Sequence, residues 1–276
     1  MTENQSILVD PAWLAKNIDD PRLVILDASM AMPGTKPDPT QAITTIPNAI
    51  RFDIDGEFSQ ANTPFPHMLP SEEDFTNKVQ KLGINNDSQV VVFDSVGIFS
   101  APRAWWMFRA MGHNNVSLLN GGLPAWQAAG LNCANEYKKV KQFGDFKAHQ
   151  DTQWFVSMPA VETAIAEGNV VIVDARSADR FHSRVDEPRP EIRRGNIPTS
   201  LNLPFDKVLK NGCYKAPATI EVEFNKLNID KNSKIYFSCG SGVTACIDAA
   251  AALLCGFENV SVYDGSWCEW ATCNPE

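Results

Sequence analysis

No apolar run in this sequence approaches the roughly 20 residues that a helix needs to cross a bilayer. No two of its seven cysteines stand in a Cys-x-x-Cys spacing, and no Cys/His cluster has the spacing of metal ligands. Structural zinc and a disulfide framework are therefore poor readings, and reduced thiols in a cytoplasmic setting are the better one. A basic stripe is missing as well: 24 Lys and Arg face 33 Asp and Glu, for a net charge of −9. That balance argues against nucleic acid as a partner. The start, Met1 to Gln5, is polar and lacks a basic stretch followed by an apolar one, so no secretory leader is expected, although a mature form whose leader was removed stays open.

What is present is ordinary globular composition, 44% hydrophobic and 21% charged, over 276 residues. This length suits two domains or one large one. The two halves match each other in order. Val24-Ile25-Leu26-Asp27-Ala28 matches Val171-Ile172-Val173-Asp174-Ala175, and Ile46-Pro47-Asn48-Ala49 matches Ile197-Pro198-Thr199-Ser200. Leu82-Gly83-Ile84 matches Leu227-Asn228-Ile229, and Val91-Val92-Phe93 matches Ile235-Tyr236-Phe237. Gly112, Asn115-Val116-Ser117, Gly121 and Trp126 match Gly256, Asn259-Val260-Ser261, Gly265 and Trp270 without a gap. Chance accounts for one such match but not for five in order. The reading is duplication: a domain over 1–135, a polar, Lys-rich linker over 136–153, and a second domain over 154–276. Short β-rich runs bounded by turn residues predict buried strands of a mostly parallel sheet. Helical stretches lie between them, one of them opened by Ser71 as N-cap before Glu72, Glu73 and Asp74. The fold class is α/β, in tandem, with each sheet flanked by helices.

The chemistry concentrates in one loop. Lys234 to Ser238 reads as a strand, Cys239-Gly240-Ser241-Gly242-Val243-Thr244 as a tight turn, and Ala245 to Leu254 as an alanine-rich helix. A cysteine thus stands at the carboxyl end of a strand and at the entrance to a helix, where open α/β sheets bind ligands. Glycines let successive N–H groups point at one spot, and the helix dipole adds positive potential. That field favours an anionic sulfur, a thiolate or a persulfide, over a neutral thiol. The bland alternative is a buried structural cysteine, which an isolated Cys-Gly would leave at even odds; the Gly-Ser-Gly turn lowers it.

This repeat, together with Cys239-Gly240-Ser241-Gly242-Val243-Thr244-Ala245, resembles the tandem rhodanese family, and within it the branch that uses 3-mercaptopyruvate. Further motifs carry the likeness: Phe99-Ser100-Ala101-Pro102-Arg103-Ala104-Trp105-Trp106, His67-Met68-Leu69-Pro70, Asp186-Glu187-Pro188-Arg189-Pro190 and Tyr263-Asp264-Gly265-Ser266-Trp267. The resemblance implies two rhodanese-like domains, the first catalytically silent because Asp94 stands where the second has Cys239. It implies that Cys239 accepts sulfur as a persulfide, with Gly240, Ser241, Gly242, Val243 and Thr244 as its cradle. Sulfur then passes to a thiol such as thioredoxin or a small thiol, or to cyanide, and pyruvate is released without cofactor or metal.

Thiosulfate-type relatives place basic side chains in the loop, and this loop has none. A Cys-x5-Arg phosphatase needs arginine at the position held by Ala245, which argues against that chemistry. Between Asp174 and Pro198 the second half carries an insertion with Arg180, Arg184, Arg189, Arg193 and Arg194. Arginine suits bidentate carboxylate recognition, and the resemblance assigns Arg180 and Arg189 to the donor's carboxylate and carbonyl. It also implies a proton relay of His67, Ser241 and Asp55, with the spacing from Asp55 to His67 one residue longer than the pattern. Thr45 and Asn196 replace the family's common His before Ile-Pro and are read as structural. Ser238 removes the adjacent second cysteine of some relatives, and Cys246 is expected in the core. Two other readings remain: a thiosulfate:cyanide sulfurtransferase, and a persulfide-binding module without turnover.

Overall fold

The computed structural model describes residues 6–31 and 42–275, so the polar start read against a leader lies outside them. The chain divides into two compact units. In the first, strands β1 (Leu8–Val9), β2 (Leu23–Asp27), β3 (Ala49–Arg51), β4 (Gln89–Phe93) and β5 (Val116–Leu119) form one sheet in the order β1-β5-β4-β2-β3. Its helices are α1 (Pro11–Asn17), α2 (Glu72–Lys81), α3 (Ala101–Ala110) and α4 (Gly122–Ala128). The Ser71 side chain caps α2, accepting from the Asp74 N–H at 3.2 Å.

The second unit repeats the plan. It holds β6 (Phe155–Val156), α5 (Met158–Glu167), β7 (Val171–Asp174), α6 (Ala178–Phe181) and β8 (Leu201–Asn202). After a hairpin of β9 (Leu209–Lys210) and β10 (Cys213–Tyr214) come α7 (Pro217–Lys226), β11 (Ile235–Ser238), α8 (Ala245–Leu254), β12 (Val260–Tyr263) and α9 (Ser266–Cys273). The sheet order is β6-β12-β11-β7-β8, the first order with each strand replaced by its repeat. The pairings of both five-stranded sheets are parallel. The expected fold class, two α/β repeats on mostly parallel sheets, is what the structure has. Matched positions even share unusual backbone: Asn48 and Thr199 have φ of 66° and 65°, and Gly112 and Gly256 both have 83°.

Residues 61–68 group with the second unit and 211–213 with the first. The stretch from 136, read as a linker from its polarity, packs along the first unit as far as Asp151. There the N–H groups of Lys138, Gly144, Phe146 and Asp151 donate to the carbonyls of Ala49, Gln80, Ile84 and Ala110. Phe146 is buried and meets Phe75 edge-on at 5.9 Å. One aromatic side chain in a polar stretch thus anchors it, because burying a ring outweighs the average composition around it.

Candidate active site

Strand β11 is central in its sheet, flanked by β12 and β7. Cys239 follows its last residue directly and is 2% exposed. Three contacts with the start of α9 set the loop. The Cys239 N–H donates to Ser266 Oγ at 3.1 Å, and Ser266 Oγ donates to the Tyr263 carbonyl at 2.9 Å. The N–H groups of Trp267 and Cys268 donate to the carbonyls of Cys239 and Gly240 at 3.0 and 2.9 Å. Helix starts leave N–H groups without intrahelical partners; here the loop carbonyls satisfy two of them, and the loop becomes rigid in return.

Gly240 leaves room for its neighbour. A Cβ there would lie 2.8 Å from Arg180 Nη2, so the glycine lets a guanidinium rest against the loop. Arg180 in turn is held by Glu187, through Nε to Oε1 at 3.2 Å and a short bond from Nη2 to Oε2. Glu187 is shared with Arg176, whose Nη1 donates to Oε1 at 2.9 Å. Arg176 is fully buried, forks onto Asp174 with Nη2 at 2.7 Å from Oδ2, donates to the Gly195 carbonyl, and lies 5.0 Å from the Trp267 ring. Removing one partner of such a buried pair costs roughly 3–5 kcal/mol. The Asp174–Arg176–Glu187 chain is therefore the frame that aims Arg180 at the loop. It was missed in the sequence, where Val-Asp-Ala-Arg reads only as a strand end.

Of the other arginines, Arg189 is half-buried with Nη1 4.0 Å from Cys268 Sγ. Arg184 and Arg194 pair with Asp179 and Asp186 at the surface, and Arg193 lies over the Trp267 ring at 4.8 Å. His67 Nδ1 lies 2.9 Å from Ser241 Oγ and 3.3 Å from the Ser241 carbonyl. His67 belongs to the segment that groups with the second unit, and its φ of 61° places it in the left-handed region. That conformation is costly for a non-glycine residue and persists where surrounding contacts hold it. Asp55 is exposed on a turn of the first unit. Cys246 is buried, its thiol donating to the Gly242 carbonyl at 3.2 Å. Asn196 donates to the Phe181 carbonyl, and Thr45 is fully buried beside Asp27.

The first unit displays what this loop type does with an anion. At its equivalent of Cys239, the buried Asp94 turns its carboxylate into its own loop. Oδ2 accepts from the N–H groups of Phe99, Ser100 and Ala101 at 2.8, 3.0 and 3.0 Å, and Oδ1 from Val96 at 3.1 Å. Burial still pushes its pKa above the ordinary carboxylate value, against those four bonds.

Beneath the second loop, Asp248 on α8 is fully buried with neither carboxyl oxygen hydrogen-bonded. Burial raises its pKa well above the ordinary value, and the charges of Cys239, Asp174 and Asp206 raise it further. The native state therefore keeps this proton to higher pH than the unfolded chain does. Its contribution to stability falls as pH rises from the ordinary carboxylate range through the folded value. Asp248→Asn should therefore raise Tm by a few degrees at about pH 8 and leave it nearly unchanged at about pH 4. Thermal melts at the two pH values check this.

Fold and loop define a pair of rhodanese-like domains. The chain belongs to the rhodanese family: the rhodanese-like domain matches residues 10–129 and 157–273. It is 40% identical over 261 residues to a 3-mercaptopyruvate sulfurtransferase of Escherichia coli K12, covering 94% of this chain and 92% of that one. It is 38% identical over 274 residues to a thiosulfate sulfurtransferase of Cricetulus griseus, covering 95% and 91%. The crystal structure of the 3-mercaptopyruvate sulfurtransferase SseA from Escherichia coli superposes with a TM-score of 0.87 at 38% identity, over 95% of this chain and 99% of that one.

Proposed function

We propose that Cys239 is the nucleophile of a sulfurtransferase that takes sulfur from 3-mercaptopyruvate and releases pyruvate. The observation that carries this is the pairing of an uncharged Gly-Ser-Gly loop with a guanidinium set just outside it, Arg180 against Gly240. Mercaptopyruvate bears its carboxylate away from the reacting sulfur, so its cationic partners belong outside the loop. Thiosulfate bears its charge on the group bonded to that sulfur and needs cations inside.

The Cys239 thiolate attacks the thiol sulfur of mercaptopyruvate while Arg180 and Arg189 hold the carboxylate and carbonyl. The C–S bond breaks, its electron pair passes into the enolate of pyruvate, and the enolate is protonated at carbon. Ser241 and His67, in hydrogen-bond contact, supply or move that proton, with Asp55 as the third member of the relay. The persulfide left on Cys239 rests against the N–H groups of Gly240 to Thr244, as the Asp94 carboxylate rests in the first unit. A thiol acceptor, thioredoxin or a small thiol, or cyanide, then takes the outer sulfur. This is nucleophilic catalysis with preorganised backbone stabilisation, and it calls for no cofactor. Residues 1–135 and 154–276 serve as silent and catalytic domains. No helix among the described residues is long and apolar enough to cross a membrane, and seven free thiols fit a reducing cytoplasm.

The test is a cyanide assay with the two donors side by side. The expected outcome is a kcat/KM for mercaptopyruvate at least about tenfold above that for thiosulfate, the difference one charged hydrogen bond makes. A preference for thiosulfate overturns the donor assignment, and no turnover with either donor leaves a persulfide-binding module.

A further inference from the structure

Cys268 has no part in the reaction just described, yet every group that acts on its thiol belongs to that site. It sits in the first turn of α9 and is 3% exposed. Its N–H donates to the Gly240 carbonyl at 2.9 Å, beside the Trp267 bond to the Cys239 carbonyl. These two bonds lay residues 267–268 along residues 239–240. A disulfide between Cys239 and Cys268 would require their Cα atoms to come to about 4.4–6.8 Å. Its Sγ lies 4.0 Å from Arg189 Nη1. Burial pushes the thiol up to about 11; Arg189 and Arg180 oppose that shift, while the charges of Cys239 and Glu187 add to it.

We propose that Cys268 is a resolving thiol that discharges the Cys239 persulfide as hydrosulfide, an activity that rests on the persulfide reading above. The Cys268 sulfur attacks the inner sulfur, Sγ of Cys239. The bond between inner and outer sulfur breaks, and the outer sulfur leaves with its electron pair as hydrosulfide. The Cys268 proton goes to hydrosulfide or solvent. Cys239 and Cys268 end as a disulfide and the outer sulfur ends reduced, so the persulfide itself is the oxidant. An external dithiol reopens the disulfide by exchange and restores both thiols.

Arg189 orders the two events. While donor or pyruvate is bound, its guanidinium is engaged by the carboxylate. Once pyruvate leaves, the cation is free beside Cys268 and favours its thiolate, the form that attacks. A weakly basic leaving group departs faster in thiol exchange, and hydrosulfide is one. An acceptor that arrives promptly takes the outer sulfur; without one, the chain releases sulfide once and stops, oxidised, until a dithiol reduces it.

The experiment uses the full-length protein, reduced and then freed of thiol, with excess mercaptopyruvate and no acceptor. Released sulfide is measured, and the chain is alkylated, weighed intact and mapped. The wild type should release a single equivalent of sulfide, lose the mass of two hydrogens, and give a peptide pair joined through Cys239 and Cys268 that dithiothreitol separates. In Cys268→Ser and Cys268→Ala the persulfide should instead persist on Cys239, one sulfur heavier, with sulfide release lost. The proposal is overturned if the wild-type persulfide lasts as long as that of the variants. It is also overturned if sulfur is found on Cys268, or if Cys239 is joined to a different cysteine. Absence of added sulfur on Cys239 in all three proteins refutes the persulfide reading instead, so the two failures are distinguishable.

Discussion

Cys239→Ser should lose sulfur transfer altogether while its thermal melt and circular dichroism stay close to wild type. The thiol is 2% exposed in a loop whose shape is set by backbone and Ser266 contacts. None of these contacts uses the sulfur. A hydroxyl in its place is slightly smaller and fits the same space, so the fold has little reason to change. The chemistry has every reason to, because serine is far less acidic and forms no persulfide. Ser241, a hydroxyl of the same loop, is bonded to His67 and stands two residues further on. Measurable turnover of mercaptopyruvate by the serine variant, with cyanide as acceptor, would place the nucleophile elsewhere.

Arg180→Ala and Arg189→Ala should each lower kcat/KM for mercaptopyruvate by about ten- to a hundredfold, the worth of roughly 1.5–3 kcal/mol for a hydrogen-bonded charge. The loss should fall mainly in KM where the carboxylate contact is equal in ground and transition states. The two variants should differ in stability. Arg180 is bonded twice to Glu187, a residue 7% exposed, so its loss leaves that carboxylate on Arg176 alone. Arg189, held in the structure chiefly against Cys268, should come away with little change in Tm. Steady-state kinetics with both donors checks this pair: the loss is expected with mercaptopyruvate and should be smaller with thiosulfate, whose charge sits at the loop. Normal mercaptopyruvate kinetics in both variants would remove the arginines from donor binding.

Much of this was legible before the structure because it is local. Strands of four or five β-rich residues, a Gly-containing loop after one of them and an alanine-rich helix give a strand–loop–helix wherever they occur, and the same order twice gives two such sheets. Cys239 stood out from that loop, whereas the insertion offered five arginines and only the family resemblance singled out Arg180 and Arg189 among them. What escaped is tertiary. Asp174, Arg176 and Glu187 meet only when the insertion folds back over the end of β7, and no spacing rule joins positions 2 and 13 residues apart to a tryptophan at 267. His67 belongs by chain order to the first half and by packing to the second unit. The substitution of Asp94 for cysteine was visible, but the four N–H groups that receive its carboxylate were not. The stretch after 136 reads as a tether because composition averages over Phe146, whereas packing does not.

The central claim is that sulfur resides covalently on Cys239 between donor and acceptor. Intact mass of Cys268→Ser after mercaptopyruvate, followed by peptide mapping, tests it most directly, because that variant retains the nucleophile and lacks the proposed resolving thiol. The account predicts one added sulfur per chain, located on Cys239 and removed by cyanide. A chain of unchanged mass that still turns mercaptopyruvate over, or a sulfur mapped to any other cysteine, would contradict it.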